Sequence, residues 1–101
     1  MNELHDIGWA VKQMRDGRRV RRRGWKWGTF VVFMPERRLP PATWPGTEQK
    51  IDDRIAKFVG DDEPLDCRPY ISRYNARREW QPGWLCTQED LLAADWEIAG
   101  E

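Results

Sequence analysis

The stretch TFVVFM, residues 29–34, settles the class of fold. Branched and aromatic side chains favour extended backbone because they pack well on a pleated surface. Alternation puts Phe30, Val32 and Met34 on one side of the strand and Val31 and Phe33 on the other. Both sides are apolar, so both are expected to be covered, and the strand belongs inside a layered domain. Upstream, Ile7, Val11 and Met14 recur at helical spacing with Ala10 beside them. Asp6 is placed to cap that helix and Gly17 to stop it, so a short amphipathic helix is predicted over 7–16. Between helix and strand lies RRVRRRGWKWG, residues 18–28, with arginine at five of its first six positions, two tryptophans and two glycines.

Downstream, PERRLPPATWPG, residues 35–46, carries four prolines and reads as an extended loop. Thr47 can cap a second helix that carries Ile51, Ile55 and Phe58 at i, i+4 and i+7, with Gly60 ending it. GDDEP, residues 60–64, is an acidic surface turn. In DCRPYISRY, residues 66–74, Cys67, Pro69 and Ile71 alternate with Arg68, Tyr70 and Ser72, which predicts a single strand. Pro69 cannot donate to a ladder and places that strand at a sheet edge. NAR, residues 75–77, turns the chain into a short strand at 78–80. TQED, residues 87–90, fits a capping box with Asp90 in place of the usual Glu; a short helix follows, and DWEIA, residues 95–99, closes as a strand. The reading is an α+β domain: a small antiparallel sheet with an N-terminal helix, a helical insertion and a short C-terminal helix.

A chain of 101 residues and 12.0 kDa is expected to form one domain, residues 1–101, with a modest core and no deep private cavity. A sizeable ligand would then need a second chain to enclose it. No apolar run approaches the eighteen or so residues of a membrane span, and no secretory leader is visible, so a soluble protein of the cytoplasm, with no membrane partner, is expected. Cys67 and Cys86 have no Cys or His nearby and read as reduced thiols. Charge is segregated: residues 12–38 hold ten Lys or Arg against Asp16 and Glu36, whereas residues 39–101 hold seven basic against thirteen acidic side chains. The formal net charge is zero. A protein that relies on neutralising a phosphate polymer normally keeps a positive surplus, so the balance points away from nucleic acid and towards a small anion.

The common nucleophile, zinc and phosphate-loop signatures are missing. The single histidine, His5, lies near a terminus expected to fray, and the neighbouring pairs Asp52/Asp53 and Asp61/Asp62 read as solvated surface. No catalysis, cofactor or metal is expected. Seven tryptophans are more than such a core requires. Trp96, inside a closing strand, reads as core. Trp25 and Trp84 each adjoin a glycine at the boundary of an element, where a side chain is either core or a platform for a ligand. A base stacked on an aromatic ring gains about 1–3 kcal/mol, and a charge-assisted hydrogen bond to phosphate contributes about 1.5–3 kcal/mol. Two stacks and three such bonds, less the cost of association, give only weak capture on an open patch. Tight binding needs an enclosed pocket, which the size of the chain places between subunits.

Three blocks of the sequence resemble one family. IGWAVKQMRDGRRVRRRGWKWGTFVVF, residues 7–33, is similar to a helix ending at Gly followed by Val-x-Arg-x-Gly-Trp-Asn and an aliphatic-aromatic strand. RPYI, residues 68–71, and WLCTQEDLLAADWEI, residues 84–98, resemble its two other marks, an Arg-Pro-Tyr-Ile strand and Trp-x-x-Ser-x-x-Asp-Met-Leu-Ala-x-Asp-Trp. The family is the second Thoeris anti-defence family of phages and prophages. The chain departs from it where Lys26-Trp27 replaces the Asn after Gly-Trp, where Cys86 takes a small-residue place, and in a longer, more charged insertion at 35–65.

The resemblance implies a homotetrameric sponge that sequesters cyclic ADP-ribose isomers, including glyco-cyclic ADP-ribose, without cleaving them, and in some members cyclic oligonucleotides of CBASS signalling. By motif it assigns Arg22, Trp25, Tyr70, Trp84 and Asp90 to the ligand site, with Thr87 where the family has Ser. On this reading Trp25 and Trp84 stack bases, and Arg22 with Arg21 or Arg23 neutralises the diphosphate. Two alternatives stay open at this point: a single-stranded nucleic-acid binder, since arginines interleaved with aromatics also build stacking grooves, and a phage-borne protein-interaction module.

Overall fold

The computed structural model, which describes residues 4–41, 43 and 53–100, is of the α+β class with antiparallel sheets. In chain order its elements are α1 (Ile7–Arg15), β1 (Val20–Arg22), β2 (Phe30–Met34), β3 (Arg37–Leu39), α2 (Asp53–Val59), β4 (Leu65–Cys67), β5 (Tyr70–Tyr74), β6 (Trp80–Gln81), α3 (Gln88–Leu92) and β7 (Trp96–Ile98). They form two compact units, Met1–Met34 with Tyr70–Glu101 and Pro35–Pro69.

The first unit is a five-stranded sheet in the order β6-β5-β2-β1-β7, every neighbouring pair antiparallel, with α1 packed against β2 and β7. Asp6 caps α1 by accepting from the Trp9 N–H at 2.9 Å. Gly17, at φ 89, ends it in the left-handed region that a side chain would resist. Ala10 and Met14 are buried by the helix. They join Val20, Val31 and Trp96 in the core, with Phe33 and Ile71 packed against it.

The strand β1 was not expected from the sequence. Its one apolar residue, Val20, is fully buried opposite Val31 on one side and Ile98 on the other, and alternation sends Arg21 and Arg22 to opposite faces of the sheet. One valine held by two neighbouring strands carries a strand that composition alone reads as a charged run. His5 also departs from expectation. Its C=O accepts from the Trp96 N–H at 3.0 Å and its ring stacks on Trp9 with centroids 3.8 Å apart, so this stretch is tied to the sheet.

The segment expected as one edge strand at 66–74 is two strands in two sheets. Arg68 and Pro69 lie in neither. Proline has no N–H to give to a ladder, so Pro69 sits at the break. β5 is then free to lie inside its sheet between β2 and β6, not at an edge.

In the second unit β3 pairs with β4, with Arg37 opposite Cys67 and Leu39 opposite Leu65. The proline-rich stretch expected to be loop therefore contains a strand. Gly60, at φ 99, ends α2 as expected. Along α2 it is Ala56 that is buried, while Ile55 and Phe58 are exposed; Thr47 and Ile51 lie outside the described residues.

Candidate functional site

The site begins with the loop between β1 and β2. Its residues form two short turns, with the Trp25 N–H donating to the Arg22 C=O at 3.0 Å and the Thr29 N–H to the Lys26 C=O at 3.1 Å. Gly28, at φ 95, closes the second turn. Arg21, buried on the sheet, donates its guanidinium to the Trp25 C=O and lies 5.0 Å from the Trp27 ring centroid. A buried arginine thus holds the backbone that carries Trp25, which fixes where the indole stands.

Trp84 is placed independently, by its N–H donating to the Ile71 C=O of β5 at 2.7 Å. The two indoles meet edge to face with centroids 5.9 Å apart, and both pack on the sealed Trp96, at 5.3 Å from Trp25 and 6.3 Å from Trp84. Such T-shaped pairs add about 0.5–1.5 kcal/mol each beyond the area they bury. Trp96 anchors the trio in the core, and its partners remain half-buried at the surface.

They open onto a cleft of about 230 Å³, with Thr87 and Asp90 of the α3 start also in its lining. The capping expected there is present. The Thr87 hydroxyl accepts from the Asp90 N–H at 3.1 Å and donates to the Asp90 carboxylate at 3.0 Å. The carboxylate thus bonds the cap hydroxyl; the reciprocal bond of a full capping box would go to the cap N–H. The remaining lining comes from Arg73, Gln81 and Leu85. Arg73 and Gln81 face each other across β5 and β6. The tight turn joining those strands is built on Asn75, whose side-chain oxygen accepts from the N–H groups of Arg77 and Glu79, each at 2.9 Å.

Behind the cleft stands an ion network. Arg22 Nη1 donates to Asp90 at 2.9 Å, and Nε and Nη2 reach the two oxygens of Asp95 at 2.9 and 3.5 Å. The hydrogen bonds to Asp95 first, then to Asp90, raise the Arg22 pKa further above its ordinary value. In return the Arg22 hydrogen bond holds Asp95 below the usual carboxylate range. The Trp96 indole N–H donates to the Asp90 C=O at 3.1 Å, so Asp90 is fixed through both its side chain and its backbone. Cys86, a free thiol beside the cleft, is pushed up in pKa by burial and secondarily by the Asp90 charge.

Of the eight residues chosen from the sequence, the structure brings Trp25, Trp84, Thr87 and Asp90 together around the cleft. Arg21, Arg22, Arg23 and Tyr70 do not line it. Arg21 and Arg22 are engaged as described, Arg23 pairs with Glu97 at 3.5 Å, and Tyr70 sits at the start of β5 opposite Met34. The lining residues that sequence reasoning missed are Arg73, Gln81 and Leu85, and of these Arg73 carries the charge. Nothing distinguishes Arg73 along the chain; the two-residue alternation of β5, which puts it on the side of Ile71, was the available signal. Among the described residues, no group of three or more His, Cys, Asp or Glu side chains is placed to hold a metal ion, and no helix is long and apolar enough to cross a membrane.

Residues 5–99 match the family model described as the Thoeris anti-defense 2-like domain. A comparison with curated proteins found no match.

Proposed function

The chain belongs to the family of Thoeris anti-defense 2-like domains, and from that premise we propose that it takes up a cyclic ADP-ribose isomer in the Trp25–Trp84 cleft and holds it without cleaving it. A Thoeris anti-defense role follows from membership of the family; the cleft supplies a chemical means. The observation that carries the reading is the pair of half-buried indoles, fixed by backbone hydrogen bonds and a buried third tryptophan, that borders a recess with polar groups around it. Indole faces take a purine by stacking, and the locked Thr87–Asp90 cap offers a carboxylate and a hydroxyl at its edge.

The cleft of about 230 Å³ falls below the roughly 300–1,000 Å³ of pockets that enclose a small molecule. One chain therefore seats part of such a messenger, a base and its ribose, and a second copy of the chain closes over the rest; the assembly we propose is a homo-oligomer, a tetramer as the family resemblance implies. Holding the messenger keeps it from the host effector. No group in the cleft is required to break a bond, so the captured molecule is expected to come out unchanged. Native mass spectrometry of the protein mixed with glyco-cyclic ADP-ribose tests this directly. The expected result is an oligomer carrying a fixed number of ligands, with intact messenger recovered after heating; a hydrolysed product, or no uptake at all, would overturn the reading.

A single-stranded nucleic-acid ligand is the second reading. It rests on the other face of the same sheet, where Phe30, Tyr74 and Trp80 stand directly opposite one another across β2, β5 and β6. The ring centroids are 5.1 and 6.2 Å apart, and Arg19 lies 4.9 Å from the Phe30 centroid. Affinity that climbs with oligonucleotide length would favour that face; saturation by a fixed number of small molecules favours the cleft.

A further inference from the structure

We propose that Arg73 is the residue that reads the phosphate of the ligand in the Trp25–Trp84 cleft and so sets its preference for anionic nucleotides; this rests on the cleft being the binding site. Four observations meet on this side chain. It lines the cleft. Its Cζ lies over the Trp25 ring, 5.7 Å from the centroid, so its cation stands at the indole that borders the cleft. Its Nε is buried with no hydrogen-bond partner, and among the described residues its guanidinium forms no ion pair. A buried donor left unmatched costs free energy, and native proteins rarely keep one without a reason.

The contrast with the neighbouring cations sharpens the assignment. Arg22 has its fork closed on two carboxylates, Arg21, whose Nε is buried and unpartnered like that of Arg73, is bonded through Nη2 to the Trp25 C=O, and Arg23 is paired with Glu97. To take a phosphate, each would first give up a partner inside the protein. Arg73 gives up only its place beside an indole ring, and its planar fork matches two oxygens of one phosphate at once. Its strand holds the Cα in register with Val31 and Gln81, so the fork is presented from a rigid element. Asp90, in the same lining, has its charge met by Arg22, and therefore repels an incoming diphosphate less than a bare carboxylate would.

The test is calorimetric titration of glyco-cyclic ADP-ribose into the full chain and into Arg73→Gln, Arg73→Lys and Trp25→Ala, each at low and high sodium chloride. Arg73→Gln is expected to weaken binding by about 10- to 100-fold, the size of one charge-assisted bond, and to flatten the salt dependence. Arg73→Lys is expected to recover the salt dependence and part of the affinity, since it restores charge without the fork. If Arg73→Gln binds like the parent with the same salt dependence while Trp25→Ala fails to bind, the proposal is overturned and the cleft reading stands. If Trp25→Ala also binds like the parent, or the parent itself binds nothing, the cleft reading falls and takes this one with it. Should Arg73→Gln fail to fold, the Lys variant decides: parental affinity there means that the fork is not used.

Discussion

On β1 and directly after it the arginines are consumed by the protein, whereas on β5, two strands away in the same sheet, Arg73 is not. Arg21 fastens a loop, Arg22 ties α3 to the segment before β7 through two aspartates, and Arg23 answers Glu97. Arg73 has an indole for company, its Nε has no hydrogen-bond partner, and among the described residues its guanidinium forms no ion pair. The dense cluster that draws the eye in the sequence is therefore structural in its most buried members, and the isolated arginine lies where a ligand can reach it. Local charge density along a chain measures how many cations exist; only the fold decides how many are already spoken for.

The largest expected effect is on the β1 side. Removing Arg22 leaves Asp90 and Asp95 close together and part-buried without their shared counter-charge, so Arg22→Ala is expected to cost about 2–3 kcal/mol of stability, less than for a fully buried pair because water reaches this one. Urea unfolding measures it, and the same change made in an Asp95→Asn background should cost clearly less. A loss below about 0.5 kcal/mol would place Arg22 among ordinary surface cations and erase the contrast. The matching change on β5, Arg73→Ala, is expected to stay within about 0.5 kcal/mol of the parent by the same measurement. A larger loss would mean that Arg73 supports the fold, and would break the comparison from the other end.

The same logic explains what could be read in advance. Elements whose signal is local were readable: α1 from its cap, spacing and terminal glycine, β2 from its branched and aromatic run, α3 from Thr87 and Asp90, β7 from the strand that buries Trp96. Elements that depend on distant partners were not. β1 exists because Val31 and Ile98 flank Val20, and β3 because β4 pairs with it; neither cause lies within a window of neighbouring residues. The break at Arg68 and Pro69 separates strands of two sheets, which alternation alone cannot distinguish from one strand with a proline in it. At the site, the residues carried by motif or by an adjoining glycine, Trp25, Trp84, Thr87 and Asp90, meet at the cleft. Arg22 carries the family motif as well, and it meets Asp90 from behind.

The smallest effect sought is in acid. Asp95 is held below its ordinary value of 3.8, first by the hydrogen bond from Arg22. A carboxyl whose pKa is lower in the folded chain than in the unfolded one stabilises the fold above the unfolded value and loses that contribution as pH falls through the folded value. The stability gap between the parent and Arg22→Ala should therefore narrow as pH drops below 3.8, because a protonated Asp95 no longer discriminates between the two chains. Near neutrality the gap should be flat with pH, and added salt should trim it only modestly, since Arg22 and Asp90 are mostly shielded from water while Asp95 is less so. A gap that stays constant down to the acid limit would mean that Arg22 contributes through the packing of its alkyl stem against the sheet, and β1 would then differ from β5 in burial and not in charge.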